Sequence, residues 1–156
     1  MHANVAAVLE NTKHPHKVHH HGELPGDIRS PADFAAALGY ESGRITKAVL
    51  LRSRDRKHFA VALCSVNKKL DLSLIAQHLG AKRMTMASPE ELNEKLGYPP
   101  IGVSPLGCGT IPVLIDEGLL AFPSILAGAG EIGVEVEMDP VHLQMAAGAE
   151  FLPLAC

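Results

Sequence analysis

Lys47 is the one charge inside an otherwise apolar run, Ile45 to Leu51 (ITKAVLL). Strand alternation turns every second residue outward. Lys47 therefore reads either as a solvent-facing strand residue or as a cation at a pocket mouth, contacting a phosphate or carboxylate. Two glycine-bearing loops lie further along, Gly102-Val103-Ser104-Pro105-Leu106-Gly107 and Gly128-Ala129-Gly130. Glycine lets backbone approach a ligand closely and point N–H groups at an anion, so two such loops could build an oxyanion hole. Taken alone they read as tight turns somewhat more readily. Neither is a phosphate loop, since no Gly-Lys-Ser/Thr follows, and Gly128-Ala129-Gly130 lacks the full dinucleotide fingerprint.

Three other groups invite chemistry. His14, His16, His19, His20 and His21 cluster, and His19 and His21 would share one strand face, as zinc ligands can. The segment has no HExxH and no identifiable third ligand with a supporting shell, so these histidines read as surface or partly packed residues. Cys108 would be a nucleophile if a base lowered its pKa, but no partner stands at a recognisable spacing, and it reads as a small loop residue. Ser104 lacks a GxSxG elbow.

The elements that must position these residues carry clear punctuation. Ala3 to Leu9 is an amphipathic helix ending near Asn11 and Thr12, and His16 to His21 is extended. Ser30-Pro31 opens a helix over Ala32 to Leu38, which Gly39 closes. Ile45 to Leu51 and His58 to Val66 are strands joined by a turn, and Asp71 caps a helix over Leu72 to Leu79. A short strand spans Lys82 to Met86, and Ser88 with Glu91 predicts a capping box on a helix ending at Gly97. Gly97 to Gly109 is too rich in Gly and Pro for a regular element, and a loop of that length between firm elements points to function. Strands at Ile111 to Ile115, Ser124 to Ala127 and Val134 to Met138 precede a helix from Asp139-Pro140 to about Ala147. This order predicts an α+β fold in which one mixed, mostly antiparallel central sheet has flanking helices, with residues 1–156 as a single domain.

At 156 residues, 47% hydrophobic and 20% charged, the chain is neither disordered nor disulfide-dependent. Three cysteines without a CxxC argue for reduced thiols, and no apolar run or basic leader suggests a membrane or an export signal. A cytoplasmic protein is expected, with no membrane partner. Aromatic residues at 4% disfavour reading of single strands by stacking, and the net charge of −3 favours weak, salt-sensitive nucleic-acid contact with no role on DNA. The charge is uneven: residues 1–83 carry 13 basic and 7 acidic side chains, residues 84–156 one and 10. If that division persists in space, one side would face an anionic partner such as RNA.

The segments TKAVLL, HFAVAL, KKLDLSLIAQHLGAKRMTMASPEEL, LGYPPIGVSPLG, IPVLID and GVEVEMDP, in this order from Thr46 to Pro140, resemble the YbaK/prolyl-tRNA synthetase-associated editing domain family. The opening helix and the HKVHHH strand fit as well, so the likeness covers nearly the whole chain. The resemblance implies a deacylase. It would hydrolyse the ester joining a wrong amino acid (Cys, Ala, Ser or Thr) to the acceptor end of a proline tRNA, with prolyl-tRNA synthetase as a second partner. It implies no cofactor, no metal and no covalent intermediate. The tRNA's own ribose hydroxyl would assist, and backbone N–H groups would stabilise the oxyanion.

By the same resemblance, Lys47, Gly102, Ser104 and Gly130 would carry catalysis, with Lys47 a fixed cation rather than a base. Ile101, Val103, Pro105, Gly128, Ala129 and Glu135 would line the substrate site, Glu135 standing where relatives often have aspartate. Ile101 replaces the first of two glycines common in relatives and would narrow the pocket. Glu131 and Ile132 stand where basic residues often continue the second loop. These departures favour the rival expectation, a non-catalytic module that binds aminoacyl-tRNA or a synthetase.

Overall fold

Helix caps appear where the sequence places them. In the computed structural model, which describes residues 1–156, the helices are α1 (Ala3–Thr12), α2 (Pro31–Leu38), α3 (Leu72–Leu79), α4 (Pro89–Lys95) and α5 (Pro140–Ala147). Ser30 accepts a hydrogen bond from the Asp33 N–H and Asp71 from the Leu74 N–H, satisfying first-turn donors that have no partner within the helix. Ser88 and Glu91 complete the reciprocal box on α4 at 3.1 Å each way. The Ser88 N–H, with help from the Arg52 guanidinium, holds the Glu91 carboxyl down at about 2. No helix is long and apolar enough to cross a membrane.

Eight strands follow the expected positions, with one addition. They are β1 (Lys17–His20), β2 (Thr46–Ser53), β3 (Phe59–Ser65), β4 (Met84–Met86), β5 (Val113–Asp116), β6 (Ile125–Gly128), β7 (Val134–Met138) and β8 (Glu150–Leu152). The α+β class holds, but the strands divide into two sheets where one was expected: β4-β2-β3-β5-β8 and β1-β7-β6. In the larger sheet β4, β2 and β3 are antiparallel while β3, β5 and β8 run parallel. Parallel return requires a long crossover, here supplied by α3, β4, α4 and the Gly/Pro-rich loop. The additional strand, β8, is three residues (EFL), too short for an alternation signal.

Alternate residues of the central strands serve two cores, which is why those strands read as continuous apolar runs. Leu50, Val61, Leu63, Val113 and Ile115 face the small sheet's Ile125, Ala127, Val134, Val136 and Met138. Leu51, Ala60, Ala62 and Leu114 pack on Ile75 and Ala76 of α3. The sheets are tied where β2 begins, by a bridge between Ile45 and Leu126 and by the Thr46 hydroxyl donating to the Leu126 carbonyl at 2.7 Å.

The end of β6 lies backbone on backbone against the loop at 102–103. A Cβ on Gly128 would sit 2.3 Å from the Val103 carbonyl oxygen and 3.0 Å from the Gly102 carbonyl. Two residues on, the Gly130 N–H donates to the Gly102 carbonyl at 2.7 Å. Because the obstacle at Gly128 is main chain, a side chain there cannot be absorbed by a rotamer change. Gly128→Ala is therefore expected to destabilise the protein by about 1–3 kcal/mol, the usual cost of overpacking. Chemical denaturation checks this, and an unchanged midpoint would show that the loops separate freely.

Candidate active site

A cavity of about 470 Å³ opens where the two sheets meet, within the size range of small-ligand pockets. Its walls are the start of β2, the 100–103 loop, the turn between β6 and β7, and the first turn of α2. Lys47, Ile101, Gly102, Val103, Gly128 and Glu135 all line it, although they are spread across 89 positions of sequence numbering.

Lys47 is half-buried at this wall and, unlike Lys68, which lies 3.7 Å from Asp116, makes no ion pair. Its cross-strand partner is Cys64, whose thiol is pushed up by burial and only partly pulled back by the Lys47 charge. Cys64 is fully buried and does not line the cavity. The backbone N–H groups of Gly102 and Val103 donate to no acceptor within the protein. Ile101, 74% exposed, and Ile132, 65% exposed, form an apolar rim.

Four expected residues lie behind this lining rather than in it. Ser104 is fully buried, and its hydroxyl oxygen accepts from the Leu106 N–H at 3.1 Å. Pro105 is buried in the same turn. The Ala129 N–H donates to the Val134 carbonyl at 3.2 Å. The Gly130 N–H donates to the Gly102 carbonyl at 2.7 Å. The loop thiol of Cys108 donates to the Ser104 carbonyl at 3.4 Å, and burial pushes its pKa up to about 12.

His21, weighed in the sequence only as a zinc ligand and set aside as a surface or partly packed histidine, belongs to the cavity wall. It follows β1 and lines the cavity, with its Nε2 2.7 Å from the Glu135 carboxylate and its ring 4.6 Å from that of Phe34. Burial raises the Glu135 pKa, and the hydrogen bond from His21 only partly offsets that. The one available signal was complementary spacing, with His19 and His21 two apart at the end of one extended segment and Glu135 and Glu137 two apart in a strand. Only the pairing of β1 with β7 makes it legible.

The neighbouring pair has a different fate. Glu137 meets His19 at 2.9 Å, the Tyr40 hydroxyl at 3.0 Å, the Ser124 hydroxyl at 2.5 Å and Arg44 at 3.5 Å. Burial alone would raise its pKa, but the hydrogen bonds from Ser124, His19 and Tyr40 outweigh it and hold the carboxyl low. This satisfied network braces the small sheet against the chain entering β2. The remaining histidines do not converge: His14 stacks on His142 at 5.0 Å, and no three His, Cys, Asp or Glu side chains are grouped to hold a metal.

An unpaired cation, free backbone donors and a buried carboxylate in one cavity suit a small ligand bearing both a polarised carbonyl and a positive group. Comparison with known proteins points the same way. EbsC of Enterococcus faecalis, assigned as a Cys-tRNA(Pro)/Cys-tRNA(Cys) deacylase, is 28% identical over 149 residues, covering 95% of this chain and 90% of that protein. The proline–tRNA ligase of Shouchella clausii is 30% identical over 107 residues, covering 69% of this chain but 19% of the ligase. The chain thus spans about a fifth of the ligases it matches. A crystal structure assigned as a trans-editing enzyme for prolyl-tRNA synthetase superposes with a TM-score of 0.82 at 27% identity, over 99% of this chain and 98% of the other. The sequence model of the aminoacyl-tRNA editing domain matches residues 26–146, a span that contains Lys47, both glycine loops and Glu135, and this chain belongs to that family.

Proposed function

We propose that residues 1–156 act as one editing domain in the cytoplasm, hydrolysing the ester of a mischarged proline tRNA that carries Cys, Ala, Ser or Thr. The observation that carries this reading is the meeting of unpaired Lys47, the free Gly102 and Val103 N–H groups and Glu135 in one cavity. An aminoacyl ester presents a carbonyl and an α-ammonium a few bonds apart. Glu135, oriented by His21, takes the ammonium. The Gly102 and Val103 N–H groups receive the carbonyl oxygen as it becomes an oxyanion. Lys47 holds the terminal nucleotide at the pocket mouth.

Hydrolysis then needs little else. Water adds to the carbonyl carbon, the bond to the ribose oxygen breaks, and the products are the free amino acid and the tRNA hydroxyl. The neighbouring ribose hydroxyl relays the proton, consistent with a lining that offers no Ser or Cys nucleophile beside a base. Placement and oxyanion stabilisation carry the rate, since the ester is already activated.

Proline tRNAs charged with Cys, Ala, Ser, Thr or Pro test the reading directly. Selective loss of one or two of the wrong amino acids is expected, with proline retained. Uniform inactivity of the folded protein would transfer the assignment to a non-catalytic module that binds aminoacyl-tRNA or a synthetase. Lys47→Ala is expected to lower deacylation about 100-fold or more, the scale of misplacing the ester relative to the Gly102 and Val103 N–H groups. Near-normal deacylation by the folded variant would remove Lys47 from the mechanism.

Glu135→Gln is expected to cost about 10- to 100-fold in kcat/KM, matching the loss of a charge-assisted hydrogen bond. The raised Glu135 pKa also places the acid limb of the kcat/KM profile above pH 4.5, with activity falling as the carboxylate takes up its proton. That limb should flatten in Glu135→Gln. A limb that persists unchanged would assign it to another group.

A further inference from the structure

At the other end of β2 from Lys47 lies a second cleft of about 250 Å³, lined by Arg52, Arg54, Arg83 and Thr85 with no apolar residue. Arg52 and Thr85 are cross-strand partners of β2 and β4, and the Arg54 N–H donates to the Arg83 carbonyl at 3.3 Å, so the two chain segments stay together past the ladder. Arg52 is held by Glu91 at 2.9 Å, and Arg56 shares that carboxylate at 3.4 Å. Arg54 and Arg83 are exposed, and neither is among the ion pairs of the protein. The Glu91 carboxylate is thus taken up by Arg52 and Arg56, and the cleft's other two guanidinium groups have no ion-pair partner.

Like charges gathered at a sheet edge repel one another, and neither Arg54 nor Arg83 forms an ion pair. Their planar forks match phosphate oxygens in a bidentate way, and the Thr85 hydroxyl adds a neutral donor. The support is firm, because Glu91 is itself fixed by the capping box and cannot swing away with Arg52.

The cleft also lies at a useful distance. Arg52 is five residues from Lys47 along one strand, about 17 Å at ~3.4 Å per residue, which equals about five stacked nucleotides at ~3.4 Å each. Alternation puts these two side chains on opposite faces of β2, so a ligand touching both must pass over the sheet edge. There β4 is three residues long and carries the exposed Arg83 beside it.

We propose that this arginine cleft is a phosphodiester-binding site that grips the RNA backbone a few nucleotides from the ester held in the Lys47 cavity. The inference rests on the deacylase reading, but it is tested separately by binding. The double variant Arg54→Ala/Arg83→Ala changes two exposed side chains outside both cores and the cavity. Its affinity for uncharged proline tRNA is expected to fall about tenfold or more. The slope of log affinity against log salt should shrink by about 0.7–0.9 for each phosphate that the variant no longer neutralises. KM for the charged tRNA should rise with kcat unchanged, while hydrolysis of a minimal aminoacyl-adenosine ester stays at the wild-type level.

Unchanged tRNA affinity and salt slope would overturn the proposal, as would an equal loss on the minimal ester. Loss of inorganic phosphate binding with tRNA binding intact would assign the cleft to a free anion and overturn the RNA assignment. If the wild type hydrolyses neither substrate, the deacylase reading fails, yet the tRNA-binding comparison still decides the role of the cleft.

Discussion

The site depends on one contact between two stretches of main chain. The Gly130 N–H reaches the Gly102 carbonyl at 2.7 Å, and Gly128 lies so close to Val103 that a single methyl group would collide with its carbonyl. A hydrogen bond of this kind adds only about 1 kcal/mol to stability; its value is orientational. With the Gly102 carbonyl tied to one side, the peptide plane that follows is constrained, and the N–H groups of Gly102 and Val103 are left without internal acceptors. The 102–103 loop has no regular secondary structure to hold it, so the latch performs the positioning that a helix or strand would otherwise supply.

The same strand carries two carboxylates with opposite roles, and the number of donors around each explains the difference. Glu135 and Glu137 are two residues apart on β7 and share one face, and each faces a histidine from the β1 segment. Glu137 collects further donors from Tyr40, Ser124 and Arg44, so its charge is stabilised despite burial. Glu135 has His21 alone, and burial prevails. A buried acceptor with spare capacity at a cavity wall is primed for a cationic group, whereas a saturated one cements the sheet.

Charge is distributed by the same logic. The basic excess of residues 1–83 does not form one continuous face. Lys68 pairs with Asp116, and Arg44 enters the Glu137 network. Lys47 at the cavity and Arg54 with Arg83 at the sheet edge are among the side chains that form no ion pair, as are Lys13, Lys17, Lys57, Lys69 and Lys82. The acidic excess of residues 84–156 is partly internal, in Glu135 and Glu137, and partly spent on Arg52 and Arg56 through Glu91.

Local signals in the sequence determined the helix ends, the Gly/Pro-rich loop, the lysine in its strand and the family likeness. The helix ends depend on residues within a few positions of one another, Ser30 with Asp33, Asp71 with Leu74 and Ser88 with Glu91, whereas the likeness rests on the order of short segments along the chain. The tertiary structure alone decided which loop donors remain free, that Ser104 is buried and the Gly130 N–H is taken by Gly102, and that the strands split into two sheets. It also decided that His21 meets Glu135 across 114 positions. Such pairings have no local energetic signature, because a histidine, a glycine N–H or a serine hydroxyl has the same intrinsic chemistry whichever partner it finds. Only the closure of β1 on β7 and of one glycine loop on the other selects among those partners, and that closure is driven by burial of a core assembled from the whole chain.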